Sequence, residues 1–160
     1  MRNFLDLAAL PREEVLELLA LARRLQEQPE PTALAGRILG LLFFNPSLRT
    51  LASMQAAMAR LGGQSFVITP GSGSWQLETR VGAVMNGAAA EHIREAIPVL
   101  ESYCDALGVR AFAEGRDLAA LDDQIQVAQH VQPLRADLIA LVDTGGSEER
   151  HLVTGERRNW

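Results

Sequence analysis

A short, almost wholly apolar run is the feature that most constrains the fold of this chain. Residues 37–44 read Arg-Ile-Leu-Gly-Leu-Leu-Phe-Phe, and the run ends at Asn45-Pro46. An apolar stretch of this length without polar alternation is typical of a strand buried on both faces, as in a parallel sheet. The rest of the chain must then supply helices that cover both faces of that sheet.

Helical and extended patterns alternate along the remaining sequence. Helices are predicted at about 11–26, 47–61 and 118–131, and a further helical stretch is predicted to reach Leu107. Strands are predicted at 65–69, 106–112 and 137–143. This order predicts an α/β domain of three layers, with a central parallel sheet of about four strands flanked by helices. We expect ligands beyond the carboxyl ends of the strands, after Phe44, after Thr69 and near Arg110.

The further helical stretch carries Ile97, Leu100, Cys104 and Leu107 on one stripe. Pro98 lies within it, so this helix must begin only a few residues before Pro98 or kink there.

Composition and charge exclude several classes of function. All 15 Lys and Arg residues are Arg, so a catalytic or phosphate-loop lysine is excluded. The single cysteine, Cys104, allows no internal disulfide. The net charge of -5, without a basic stripe, argues against a nucleic-acid partner. No apolar run approaches the roughly 20 residues of a membrane span, and Asp6 interrupts any signal-like segment, so we expect a cytoplasmic protein without a membrane partner.

The strongest chemical signal is Ser47-Leu48-Arg49-Thr50, where the first strand meets its helix. A helix N-terminus offers unpaired N–H groups and partial positive charge, two hydroxyls add donors, and Arg49 adds a fork that matches phosphate oxygens. The residue types alone equally allow Ser47 to be an ordinary N-cap and Arg49 a solvated side chain. Neither a GxxxxGK[ST] nor a G-x-G-x-x-G motif is present, so a nucleotide phosphate loop is not indicated.

Neighbouring motifs add to this signal. Phe43 to Thr50 is followed, in order, by Leu61-Gly62-Gly63, Pro70-Gly71 with Trp75, Met85-Asn86-Gly87, Glu91-His92-Ile93 and Gly108-Val109-Arg110-Ala111-Phe112. Over about residues 4–112 the chain resembles the aspartate/ornithine carbamoyltransferase superfamily, and most of all its branch that acts on N-acylated ornithine.

The resemblance implies a carbamoyl-phosphate-binding domain that acts without metal or cofactor. In that family the carbamoyl group passes from carbamoyl phosphate to the amine of an amino-acid acceptor. The resemblance implies that Ser47, Leu48, Arg49 and Thr50 bind the phosphate and that Arg110 helps hold carbamoyl phosphate. It also implies that Trp75 reaches the site of a neighbouring subunit, and that the chain forms a homo-oligomer, a trimer or a multiple of one.

The sequence departs from the family pattern at several places. Leu51 stands where a second arginine often follows the turn, and Asn86-Gly87-Ala88 stands where Asp-Gly-Asp is usual. The His-Pro-x-Gln motif, which polarises the carbamoyl group, is absent. We therefore expect residues 1–143 to form the carbamoyl-phosphate-binding domain and residues 144–160 a divergent tail. We also expect the amino-acid-binding domain to be missing, as in a fragment, and the isolated chain to be inactive, with no catalytic residue assigned.

Other interpretations stay open at this stage. Trp75 could instead plug the domain's own core, and Arg110 could pair with a surface carboxylate such as Glu114. The chain as a whole could be a non-catalytic module of the same fold that oligomerises or binds anions.

Overall fold

The computed structural model describes residues 10–80, 82–111 and 139–143, the last of these by its backbone alone. The helices are α1 (Arg12–Glu27), α2 (Leu48–Arg60) and α3 (Ile93–Glu101). The strands are β1 (Ile38–Phe43), β2 (Gln64–Ile68), β3 (Leu77–Glu78), β4 (Glu91–His92), β5 (Ala106–Arg110) and β6 (Ile139–Asp143). The helix predicted at 118–131 and the tail at 144–160 lie outside the described residues.

A four-stranded parallel sheet forms the centre of the molecule. Its strand order is β2-β1-β5-β6, and every neighbouring pair is parallel. Residues 39–43 of β1 are all buried, which confirms the prediction from the apolar run. The predicted α/β fold with about four parallel strands is therefore confirmed. The short β3–β4 pair, also parallel, forms a separate sheet that the sequence did not predict.

The two faces of the sheet carry two separate apolar clusters, each beneath a helix. On one side Leu39, Leu41 and Phe43 of β1 pack with Met58 of α2. On the other side Leu42 packs with buried residues of α3 and β5, which are Ile93, Ile97, Leu107 and Val109. Because neighbouring β1 side chains alternate between the clusters, β1 anchors both helix layers. Burial of a Leu or Ile side chain contributes about 1.5–3 kcal/mol, so these residues supply most of the local stability.

Helix α3 ends earlier than the sequence predicted. It runs from Ile93, shortly before Pro98, to Glu101, so it does not reach Leu107. A turn follows, in which the carboxylate of Asp105 accepts hydrogen bonds from the Ile38 N–H at 2.9 Å and from Arg37 at 2.6 Å. These bonds hold the pKa of Asp105 below its usual value. Cys104 and Leu107 join the same cluster as Ile97, but from a turn and a strand.

Local residues explain where α1 begins and where α2 ends, and both helices lie close to their predicted ranges. Helix α1 begins directly after Pro11 and carries Glu13 and Glu14 in its first turn. None of its residues is buried, and Leu19 is 63% exposed. Helix α2 ends before Gly62, whose φ of 82° suits the left-handed turn that leads into β2. No described helix is both long enough and apolar enough to cross a membrane.

Candidate functional site

The turn from β1 into α2 presents a capped helix N-terminus at the carboxyl edge of the sheet. Ser47 is the N-cap in an extended conformation, and its Oγ accepts a hydrogen bond from the Thr50 N–H at 3.3 Å. The Leu51 N–H donates to the Ser47 carbonyl at 3.2 Å. Among the described residues, no acceptor meets the N–H groups of Leu48 and Arg49. These two donors remain available to an anion at the positive end of the helix dipole.

Sheet register brings Arg110 to the same turn. Arg110 ends β5 opposite Phe43, the last residue of β1, and its carbonyl accepts the Phe44 N–H at 2.9 Å. Its side chain is half-buried, and Nη1 donates to Thr50 Oγ1 at 3.4 Å. The Ser47 hydroxyl lies 3.0 Å from the same Thr50 oxygen. A chain of hydrogen bonds thus joins Ser47 and Thr50 to Arg110, which lies 60 residues after Thr50 in the sequence.

The charge around this turn is positive. The first turn of α2 contains no acidic residue. Arg49 is exposed on that turn, and the guanidinium of Arg110 contacts it from the neighbouring strand. No cluster of His, Cys, Asp or Glu among the described residues could hold a metal ion. The arrangement suits a small multivalent anion such as a phosphate group.

Two leucines of this region have different roles. The side chain of Leu48 is 84% exposed, so its backbone N–H is the group it offers to a ligand. Leu51, at the position where the resemblance suggests a second arginine, is partly buried against the cluster of Leu39, Leu41, Phe43 and Met58. At this position the chain thus has a side chain that packs on the core, where a positively charged one was expected.

Trp75 lies in the loop after β2, on the same edge of the sheet. Its side chain is 61% exposed, which argues against the interpretation as a plug over the core. Its Nε1–H donates to Glu91 Oε2 at 3.1 Å. Within the part of the chain that the structure describes, no hydrogen bond joins Trp75 to the Ser47–Thr50 turn. The alternative pairing of Arg110 with Glu114 involves a residue outside the described ranges.

Sequence reasoning missed a second polar cluster that follows Trp75. Glu78 accepts hydrogen bonds from the Arg80 side chain and from the N–H groups of Arg80 and Thr79, all at 3.0–3.2 Å. The Arg80 side chain above all, and then these N–H groups, lower the pKa of Glu78 to about 2. His92 is the N-cap of α3. Its place directly before the helix could have indicated the N-cap. Its contact with the carbonyl of Arg80 could not be predicted from the spacing of residues in the sequence.

Comparison with known families decides the relationship. Residues 2–135 match the model of the "Aspartate/ornithine carbamoyltransferase, carbamoyl-P binding domain" family. The chain belongs to this family. The relationship predicted from the ordered motifs is thereby confirmed.

Individual members of the carbamoyltransferase family show similarity over part of their length. The N-acetylornithine carbamoyltransferase of Xanthomonas campestris pv. campestris is 38% identical over 112 residues, which are 70% of this chain and 33% of that protein. The N-succinylornithine carbamoyltransferase of Bacteroides thetaiotaomicron is 47% identical over 81 residues, 51% of this chain and 26% of that protein. The chain thus spans about a third or less of the length of these two relatives.

Solved carbamoyltransferase structures confirm the fold. The structure of acetylornithine transcarbamylase complexed with acetylcitrulline has a TM-score of 0.78 and 33% sequence identity. The match covers 89% of this chain and 42% of that chain. A variant of N-acetyl-L-ornithine transcarbamylase, complexed with carbamyl phosphate and N-succinyl-L-norvaline, gives a TM-score of 0.79 at 34% identity, over 89% and 43% of the two chains.

Proposed function

We propose that this chain binds carbamoyl phosphate at the Ser47–Thr50 turn and Arg110. The observation that carries the proposal is the chain of hydrogen bonds from Ser47 through Thr50 to Arg110, beside the N-terminus of α2. It supplies hydroxyl, guanidinium and backbone donors within one turn, and no acidic residue of that turn opposes an anion. Membership of a family described as carbamoyl-phosphate-binding supports the same ligand.

The two ends of carbamoyl phosphate need different donors, and the site offers both. The phosphate carries most of the charge and suits the free N–H groups of Leu48 and Arg49 with the Arg49 guanidinium. Arg110 and the Thr50 hydroxyl lie on the β5 side of the turn, where they suit the carbonyl oxygen. When an amine attacks the carbonyl carbon, the C–N bond forms, the bond to the phosphate oxygen breaks, and the departing phosphate takes up the proton that the amine loses. Donors fixed before the reaction stabilise the charge that develops on both oxygens.

We propose an amine of ornithine or of an N-acylated ornithine as the acceptor. This part of the proposal rests on relatives, since the N-acetylornithine and N-succinylornithine carbamoyltransferases are among the similar proteins. In the proposed assembly, Trp75 acts at the site of a neighbouring copy. Its 61% exposure leaves the ring accessible to such a copy.

Calorimetric titration of the chain with fresh carbamoyl phosphate, and separately with inorganic phosphate, tests the proposal. Arg49→Ala should weaken binding of both anions about 10-fold or more, since a charge-assisted hydrogen bond contributes about 1.5–3 kcal/mol. Arg60→Ala is the matched control because it removes an exposed arginine from the last turn of the same helix. Unchanged affinity in Arg49→Ala, or an equal loss in both variants, would exclude the assigned site.

A second candidate is a non-catalytic module that associates with further copies. Two observations favour it: the exposed Trp75 ring, and β2 at one end of the described sheet. Light scattering run beside anion titration separates the candidates, because phosphate binding by a monomer or an oligomer supports the first, whereas an oligomer that binds no anion supports the second.

A further inference from the structure

We propose that His92 is a positioning residue that fixes the segment of residues 75–80 to β4 and α3, and that it does so only as a neutral imidazole. This segment, called the Trp75 segment below, carries the exposed indole. The inference goes beyond the proposed ligand, because the contacts that carry it lie outside the Ser47–Thr50 turn and Arg110.

The hydrogen bonds of His92 determine its tautomer. Nε2 lies 3.0 Å from the carbonyl oxygen of Arg80, which can only accept a hydrogen bond, so Nε2 carries a proton. Nδ1 lies 3.1 Å from the backbone nitrogen of Arg94, which can only donate, so Nδ1 carries none. One neutral tautomer therefore satisfies both partners, and the imidazole links the N-terminus of α3 to the end of the Trp75 segment.

The Trp75 segment is attached to β4 at several successive positions. Trp75 donates to the Glu91 carboxylate, and the parallel pairs Leu77–Glu91 and Glu78–His92 follow. The bond from His92 to the Arg80 carbonyl is the last contact in this series. Because β3 and β4 are each only two residues long, backbone pairing alone holds the segment weakly. The side-chain bonds at its two ends therefore contribute much of its order.

Protonation of His92 removes one side of this link. An imidazolium carries a proton on both nitrogens, so Nδ1 loses its role as acceptor and faces the Arg94 N–H with a second donor. Helix α3 then loses its side-chain cap, a loss that weakens helices in general. Charged groups on the neighbouring elements are Glu78 and Arg80 beside β3, and Glu91, Arg94 and Glu95 on β4 and α3. Glu78 is bound to Arg80 and Glu91 to Trp75, so both carboxylates already have other partners.

The bond to the Arg94 N–H is present with the neutral imidazole and is lost when the ring takes up a second proton. The bond from Nε2 to the Arg80 carbonyl survives protonation, so the Trp75 segment loses its attachment, through the imidazole, to the N-terminus of α3. The indole N–H of Trp75 and the amide of Arg94 should then change environment together.

Nuclear magnetic resonance on the full chain tests this directly. Long-range ¹H–¹⁵N spectra at pH 8 should show His92 protonated on Nε2 and not on Nδ1, with assignment by comparison with His130→Asn and His151→Asn. On acidification the Arg94 amide and the Trp75 indole should then shift together, with one common, one-proton midpoint. Trp160→Phe removes the second indole signal and so assigns the first.

Two neutral variants separate the bonds made by the imidazole. His92→Asn keeps an acceptor for the Arg94 N–H, and His92→Gln keeps a donor that reaches the Arg80 carbonyl. Both should abolish the shared pH transition. A proton on Nδ1 in the unaltered protein, separate midpoints for the two resonances, or a transition that survives in both variants would overturn the proposal. The tautomer measurement needs no variant, so misfolding of a variant leaves that test intact.

Discussion

At the scale of single residues, Thr50 connects the two halves of the candidate site. Its hydroxyl oxygen accepts a hydrogen bond from Arg110 Nη1 at 3.4 Å and lies 3.0 Å from the Ser47 hydroxyl. An accepted bond from each would leave the Thr50 proton directed away from both, where it can be donated to a bound anion. Thr50 thus orients an arginine as well as offering a donor of its own.

Two replacements of Thr50 distinguish the contribution of its hydroxyl group to binding from that of its branched shape. Thr50→Val keeps the branched side chain but removes the oxygen, and should weaken carbamoyl-phosphate binding about 10-fold or more, since bonds with a charged partner contribute about 1.5–3 kcal/mol. Thr50→Ser keeps the oxygen and should bind nearly as well as the unaltered chain. Calorimetry measures both affinities. Equal affinity of the Val and Ser variants would show that the hydroxyl has no part in binding.

The residues of the candidate site were predictable from sequence to different degrees. Ser47 and Thr50 follow from their place between a buried strand and a helix, and Arg110 from its place at the end of another strand. The bond between His92 and the Arg80 carbonyl was not predictable. It depends on the path by which residues 75–80 return beside β4, and no local periodicity encodes that path.

Glu78 gives the molecule a pH-dependent contribution to stability. The Arg80 side chain above all lowers its pKa from 4.5 to about 2. Because the pKa is lower in the folded state, the contribution is full above the unfolded value of 4.5 and is lost as the pH falls towards about 2. Glu78→Gln should therefore lower the free energy of unfolding at pH 6 and flatten its decrease between pH 4.5 and 2.

Urea unfolding at several pH values measures this dependence. Glu17→Gln, which alters an exposed carboxylate on α1, is the control and should keep the slope of the unaltered protein. If the two variants lose stability in parallel with the unaltered chain at every pH, the Arg80 contact has no role in the acid response.

At the scale of elements, hydrophobic periodicity predicted the bounds of the longer helices and of β1, but it misassigned the stretch in which a short helix is followed by a turn and a short strand. The strand at 38–43 and the helices at 12–27 and 48–60 agree with the predicted ranges to within a residue or two. Ile97, Leu100, Cys104 and Leu107 are spaced as on a helix, yet the chain leaves α3 at Glu101 and returns as β5. Three of these residues are buried in one cluster, and Leu100 packs against it. Their apolar character therefore reflects burial in a shared core, and their helical spacing does not mean that they belong to one helix.

The turn between α2 and β2 depends on Gly62 for two separate reasons. Its φ is 82°, and a Cβ atom at this position would lie 2.2 Å from the Pro31 carbonyl oxygen. Gly36 has a similar φ of 75° but no atom within 4 Å of such a Cβ. Gly36→Ala should therefore cost about 1–2 kcal/mol of unfolding free energy, the typical penalty of a left-handed conformation.

Gly62→Ala should cost clearly more than Gly36→Ala, because the backbone of the turn must also move away from the new methyl group. Urea unfolding of both variants measures the difference. Equal destabilisation would mean that the backbone at Pro31 yields without cost, so that only the conformation of Gly62 matters.

At the scale of the whole molecule, the position of the candidate site leads us to expect binding without turnover. The donors for an anion lie at the N-terminus of α2 and at the end of β5, within the residues that the structure describes. The family's carbamoyl-polarising motif is absent from the sequence, in which none of the three histidines is followed by proline. The N-acetylornithine carbamoyltransferase of Xanthomonas campestris pv. campestris is about three times as long as the part aligned with this chain. We therefore expect the Ser47–Thr50 turn and Arg110 to suffice for phosphate binding, and transfer to need further groups that orient the amine.

The 160-residue chain should bind carbamoyl phosphate and yet form no ureido product from ornithine or N-acetylornithine. Binding needs only donors that the fold already orders, whereas transfer also needs the amine held within reach of the carbonyl carbon, a contribution of about 7–11 kcal/mol to catalysis. A colorimetric assay for citrulline and acetylcitrulline, run beside calorimetry on the same sample, measures both properties. Product that rises with protein concentration and disappears in Arg49→Ala would contradict this expectation, because it would mean that the described turn and Arg110 suffice for transfer.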